Sequence, residues 1–181
     1  MTVAPVKSGT TGLIVISRCD PAHADARLLV EELSATLAGI TGDSGKASFA
    51  PDDARTERAL FVVARDAHGQ LLGCGALRPL PTEVADNVAE IKRMYARSGT
   101  EGVGAALLAY IEQAAREFGY AQVWLETRRV NLRAVTFYLR HGYGEIANFG
   151  KYVGRADAIC VGKWLVPSPA QVAPGSKKPR Q

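Results

Sequence analysis

"RSGTEGVGAALLAYIEQ", residues 97–113, decides how the rest of the chain is read. Glycines stand at Gly99, Gly102 and Gly104, and an apolar helical pattern begins directly after them. Leu107, Leu108, Ile111, Ala115 and Phe118 fall on one stripe of a helix running from Gly104. Gly119 ends it where a left-handed residue is wanted. "VAEIKRMYA" (residues 88–96) before it and "AQVWLET" (121–127) after it read as strands. A helix crossing between two strands makes them parallel partners in one sheet. At such a strand-to-helix junction, free N–H groups and the helix dipole suit an anion, and glycine lets it come close. A Walker loop needs Lys after its last glycine, and Ala105 follows Gly104. A dinucleotide fingerprint needs a small residue where Leu107 stands. Two readings are left: a backbone cradle for a pyrophosphate, or a glycine-rich turn beside a core helix.

Outward from this unit, "GLIVISR" (12–18) is a strand, and Leu28, Leu29, Leu33 and Leu37 mark a helix over 24–38. Residues 39–51 read as a glycine-rich loop and "DDARTE" (52–57) as a helical turn. "ALFVVAR" and "LLGCGALRPL" flank the hairpin connection "DAHG" (66–69). Residues 131–141 form a short helix closed by Gly142, and "YGEIANF" and "DAICVGKWL" are two last strands. The order β-α-β-β-β-α-β-α-β-β predicts an α+β fold, a mixed central sheet flanked by helices in a single domain. Its boundaries are a flexible N-terminus over 1–11, the domain over 12–166 and a disordered Pro/Lys-rich tail over 167–181.

Length and composition are those of an ordinary soluble domain, with 47% hydrophobic and 22% charged among 181 residues. "LIVIS" is too short for a signal-peptide core, and no run is long enough to cross a bilayer. Cys19, Cys74 and Cys160 form no CxxC pair, which argues against a disulfide framework or a zinc site and for a reducing cytoplasm. The net charge of +4 comes largely from Lys177, Lys178 and Arg180. Without these three, 19 basic residues face 18 acidic ones, so neither nucleic acid nor a membrane surface is an expected partner.

"AEIKRMYA", "EGVGAALLAYIEQAAREFGY", "VWLETRRVNLRAVTFYLRHGY" and "IANFGKYVG" occur in this order. With these segments the chain resembles the GNAT superfamily of N-acetyltransferases over residues 13–165. The resemblance implies a GNAT-like fold and acetyl-coenzyme A as cofactor, its pyrophosphate met by amides of an Arg/Gln-x-x-Gly-x-Gly/Ala loop. Gly102 and Gly104 fit that pattern; Gly99 takes the Arg/Gln place, and Glu101 beside it repels an anion. By the resemblance the cofactor meets Met94, Tyr95, Ala96, Gly99, Thr100, Glu101, Gly102, Val103, Gly104, Ala105, Asn131 and Tyr138.

Asn131 and Tyr138 lie nearly two helical turns apart, on one side, roughly 10 Å from each other. The family sets an asparagine against the pantetheine arm and a tyrosine beside the sulfur, where a phenol can protonate a leaving thiolate. A helix cap and a core aromatic are the plain readings of the same two residues. Strand alternation puts Glu90 and Lys92 on one face and Arg93 on the other. Glu90 occupies the base position of histone-acetylating members, and a structural ion pair with Arg or Lys explains it equally well. Backbone N–H groups near Met94 to Ala96 would polarise the thioester carbonyl. Arg128 and Arg129 either supply the positive charge missing from the loop or are a solvated pair. Arg78, Tyr95, Asn148, Phe149 and Tyr152 are the candidate acceptor-pocket residues. The implied activity is acetyl transfer to a primary amine of a small molecule by direct attack. A protein Lys or N-terminal acetyltransferase and a degenerate acyl-coenzyme A-binding regulator are the alternatives, and self-association into a homodimer stays open.

Overall fold

Each apolar run named above becomes a strand of one sheet in the computed structural model, which describes residues 4–6 as backbone and residues 12–165 in full. The strands are β1 Ala4–Val6, β2 Ile14–Arg18, β3 Leu60–Arg65, β4 Leu71–Pro79, β5 Val88–Ala96, β6 Gln122–Arg128, β7 Gly144–Ile146 and β8 Ala158–Trp164. The helices are α1 Ala24–Thr41, α2 Val103–Glu117 and α3 Leu132–Arg140, with 3-10 turns at Lys46–Ser48, Pro51–Ala54 and Gly150–Tyr152. The sheet order is β1-β2-β3-β4-β5-β6-β8-β7, antiparallel except where β5 meets β6. α2 makes the crossover between these two, as its position in the sequence requires. The expected flexible N-terminus and disordered tail lie outside the described residues, apart from the short strand β1.

The helical stripe of α2 buries Leu107, Leu108 and Ile111 against Ile91, Leu125 and Val161 on one face of the sheet. α1 covers the other face, with Ala26 and Leu29 packed on Phe61, Val63, Cys74 and Ala76. Leu28 does not join that stripe and is 45% exposed. α1 also runs three residues beyond the expected end, through Gly39, and stops at Gly42, whose left-handed backbone returns its N–H to the Ala38 carbonyl at 3.0 Å. A third, smaller cluster gathers Phe149, Tyr152, Cys160 and Val88 under the loop between β7 and β8. Among the described residues no helix is long and apolar enough to cross a membrane.

Two irregularities in β5 matter for function. It pairs with β6 only at Val88, Ala89 and Glu90, and beyond them the two strands have no shared ladder. It also carries a bulge: Cys74 faces Tyr95 and Ala76 faces Lys92, so Gly75 opposes both Arg93 and Met94. Arg93 takes φ +54° there. Gly75 has no room for a side chain, since a Cβ would stand 2.6 Å from Ile111 Cδ1 and 2.8 Å from Met94 Sδ. The extra residue resets the alternation. Met94 rejoins Ile91 in the α2-side core, while Arg93 is thrown to the α1 side, over Phe49 and against Gly45. The expectation that Arg93 and Lys92 face opposite ways is therefore corrected: the bulge brings them to the same side.

Candidate active site

Where β5 and β6 part, a cavity of about 740 Å³ opens. Its walls are β5 from Ile91 to Ala96, β6 from Leu125 to Arg128, the C-terminal half of α1, the start of α2 and one face of α3. The volume falls within the range of small-molecule sites. Beyond Glu90, the β6-facing backbone groups of β5 have no strand to bond, and Met94, Tyr95 and Ala96 line the cavity there.

At one end stands the glycine loop. Gly99 and Gly102 both have left-handed backbones, at φ 79° and 72°, and Gly102 caps α2 without a side chain. The Ala106 N–H donates to the Gly102 carbonyl, so the N–H groups of Val103, Gly104 and Ala105 have no acceptor within the helix. Gly102, Gly104, Ala105, Thr100 and Ser98 line the cavity. Gly104 also lets α2 approach α3: a Cβ there would already touch the Phe137 ring at 3.4 Å. Gly99 and Glu101 lie off the cavity wall, and Glu101 is exposed, so solvent screens its repulsion of an anion there. The Val103 side chain belongs to the core.

Neither arginine expected to support this loop is free. Arg128 is held by Glu126, by Asp43 at 3.2 Å and by Asp157 at 3.3 Å, while Arg129 pairs with Glu145 at 2.9 Å. Arg133, in the first turn of α3, is the cation that sequence reading missed. It lines the same cavity, is exposed, and has no acidic partner among the described residues.

α3 supplies the middle of the cavity. Asn131 caps it, its Oδ1 accepting from the Ala134 N–H at 3.3 Å, and the residue also lines the cavity. Tyr138 is 7% exposed, its ring edge-on to Phe137 and Tyr143 at 5.1 and 5.5 Å. Its hydroxyl bonds to no described residue, and the side chain lines the cavity. Burial pushes this phenol well above its ordinary pKa.

The far end corrects several expectations. Glu90 is 1% exposed and does not line the cavity. Its Oε2 accepts from Arg78 Nη2 at 2.6 Å and Nε at 2.9 Å, and its Oε1 faces Lys92 Nζ at 2.8 Å. The geometry favours the structural ion pair over the base. Arg78 completes that network with Asp53 and is likewise off the wall. Phe149 packs against Trp124 and Tyr152, and Asn148 donates to the carbonyls of Tyr152 and Arg155 at 3.2 and 3.0 Å. Both shape the loop that presents Tyr152 without lining the cavity themselves. Tyr152 and Tyr95 do line it, and the Tyr152 hydroxyl meets Lys92 Nζ. The carboxylate that faces the cavity in place of Glu90 is Glu126 on β6. Burial raises its pKa, and Arg128 beside it acts in the opposite sense. The wall also carries Asp43, whose pKa is lowered, first by the Gly45 N–H.

Known proteins share the family pattern and the fold of this chain. The acetyltransferase (GNAT) family model matches residues 27–143. An N-acetyltransferase of Schizosaccharomyces pombe, itself uncharacterised, is 35% identical over 86 residues, 46% of this chain and 51% of that one. An IAA acetyltransferase of Azospirillum brasilense is 34% identical over 94 residues, 51% of this chain and 59% of the other. The chain thus spans about half the length of these curated relatives. Among solved structures, the PaiA N-acetyltransferase of Thermoplasma acidophilum, in complex with coenzyme A, has the same fold. It superposes with a TM-score of 0.62 at 20% identity, over 83% of this chain and 98% of that one.

Proposed function

The chain belongs to the acetyltransferase (GNAT) family, and on that premise we propose that it moves an acetyl group from acetyl-coenzyme A to the primary amine of a small molecule. One observation carries the reading: a single cavity is lined by Gly104 and Ala105, whose N–H groups have no acceptor within the helix, by Tyr138, whose hydroxyl has no partner among the described residues, and by Glu126, a carboxylate with a raised pKa. On the acceptor side α1 and the residues around Gly45 and Lys151 wall this cavity, which favours a small acceptor over a protein chain. Gly99 and Glu101 depart from the family loop but lie off the wall, so they give no support to a degenerate regulator. The unpaired thiols of Cys19, Cys74 and Cys160 favour a reducing, cytoplasmic setting.

When bound, acetyl-coenzyme A supplies an activated acyl carbon on a sulfur leaving group. The Val103, Gly104 and Ala105 amides would bind its pyrophosphate at the positive end of α2. Arg133 would add a positive charge, and Asn131 would border the arm between. Free backbone amides of β5 between Met94 and Ala96 would hydrogen-bond the carbonyl oxygen as negative charge develops there. Glu126 is the group to take the proton that an incoming ammonium must lose, because its raised pKa makes it a stronger base than Asp43. The Tyr138 hydroxyl holds a proton at the place where the sulfur departs.

Calorimetric titration with acetyl-coenzyme A, followed by a panel of small primary amines read by free-thiol release, tests the proposal. Binding with amine-dependent thiol release is expected. Thiol release that no amine accelerates, despite cofactor binding, would overturn it.

A further inference from the structure

Arg93 is the anomaly of the cavity. It is 7% exposed and lines the wall, yet it takes part in no ion pair among the described residues. A buried guanidinium offers five donors and normally meets a carboxylate. Here Nη2 donates to the Gly45 carbonyl at 2.5 Å, the group lies over the Phe49 ring at 5.9 Å, and Nε is buried without any partner. Nη1 has no hydrogen bond either, and unlike Nε it is not sealed off. Neighbouring acids are already engaged: Glu90 by Arg78 and Lys92, Glu126 and Asp43 by Arg128. Three further cations, Lys92, Lys151 and Arg155, line the same cavity, Lys92 held by Glu90 and Arg155 by Asp157. The bulge, with Arg93 in a backbone conformation that non-glycine residues seldom adopt, is what delivers the guanidinium to this side of the sheet.

We propose that Arg93 receives a carboxylate of the acceptor, so that the substrate is a small amine bearing an acid group, of the amino-acid type. The inference rests on the acetyltransferase reading and deepens it. An uncompensated buried cation is costly alone and becomes favourable when a ligand brings its counter-charge. Arg93 directly precedes Met94, so the carboxylate would sit beside the backbone that faces the acyl group, on the α1 side and away from the amides of α2. Glu126 would then meet the ammonium end of the same molecule. Two opposite charges on the wall select a zwitterion over a plain alkylamine.

The test needs no turnover. The protein saturated with coenzyme A is titrated with N-acetyl derivatives of small amino acids, the products of such a reaction, and with the matching N-acetyl amino amides. The carboxylates should bind roughly tenfold to a hundredfold more tightly than the amides, the ratio expected of a charge-assisted hydrogen bond. Arg93→Met should erase that ratio while coenzyme A affinity is kept, and Arg93→Lys should restore part of it. Equal binding of acids and amides, binding of neither series, or a preference that survives in R93M would overturn the proposal. Neutral amines turned over in preference to acidic ones would sink it too, yet leave the acetyltransferase reading standing. Failure to bind acetyl-coenzyme A would remove that reading itself.

Discussion

Burial acts on Tyr138 in two opposed ways. It keeps the phenol protonated throughout the physiological range, and it makes the phenol a weaker acid than its ordinary pKa of about 10 would make it. An alkyl thiol has a pKa of about 8.5, so full transfer of the phenolic proton to a departing thiolate is uphill. In the proposed reaction Tyr138 therefore serves best by donating a hydrogen bond to the developing charge, with solvent completing the protonation. Such a bond to an ionised group contributes about 1.5–3 kcal/mol. Tyr138→Phe should lower kcat roughly tenfold to a hundredfold and leave acetyl-coenzyme A binding nearly unchanged, as the ring still packs on Phe137 and Tyr143. A normal kcat would leave Tyr138 as a packing residue. In the proposed reaction Glu126 sets the pH dependence. Since burial raises its pKa, the acid limb of the kcat/KM profile should lie above the range of an ordinary glutamate, about 4.3. Glu126→Gln should lower kcat/KM and remove that limb; an unmoved limb would assign it to another group.

The bulge in β5 is the element on which the site depends. It interrupts the alternation, turns Arg93 into the cavity and keeps Met94 in the core. Gly75→Val should crowd Ile111 and Met94 and cost about 1–3 kcal/mol, the usual price of overpacking. That corresponds to a fall in Tm of roughly 2–12 °C for a domain of this size. Because the same crowding presses on the bulge, R93-dependent selection among acceptors should weaken in parallel; an unchanged Tm would show that the bulge relaxes without strain. This feature was not legible beforehand, because a bulge depends on which residues of two strands meet, and alternation within one strand cannot report it. The partners of Glu90 escaped for a related reason: Arg78 and Asp53 reach it from other elements. Local patterns fared better. The stripe Leu107, Leu108, Ile111 is set by helical spacing alone, and it correctly oriented α2. Asn131 and Tyr138 share a face of α3 by the same rule, and both line the cavity. Gly99 and Glu101 were assigned by the resemblance to the family loop, and here they lie off the wall.

At the scale of the whole molecule, arginine–carboxylate pairs fasten α1 and the connecting loops to the sheet. Glu32 of α1 takes Arg97 at 2.6 and 2.9 Å, Asp25 takes Arg65 at 2.5 Å, and Asp43 and Asp157 both hold Arg128. In Glu32, Asp25 and Asp157 a guanidinium hydrogen bond is the main cause that lowers the pKa; in Asp43 the Gly45 N–H comes first and Arg128 second. A group whose folded pKa is depressed adds stability above its unfolded value of about 4, and that stability is lost as pH falls through the folded value. Glu126 has the opposite sign: its raised pKa favours the folded state at low pH, and this contribution disappears as pH rises through the raised value. With Asp20, which a hydrogen bond from Arg55 lowers in the same way, five depressed carboxylates oppose one raised one, so the acid side should be governed by the loss. Tm should change little between pH 7 and about 5 and fall progressively below about pH 4. The fall should be shallow, because these pairs are partly or largely exposed, and shallower still in high salt. Arg97→Gln isolates one contribution: Glu32 loses the partner that depresses its pKa, so part of the acid slope should disappear while Tm at pH 7 drops only slightly. Melting curves of the two proteins from pH 3 to pH 7 decide the matter, and parallel curves would show that the Glu32–Arg97 pair contributes nothing to the acid transition.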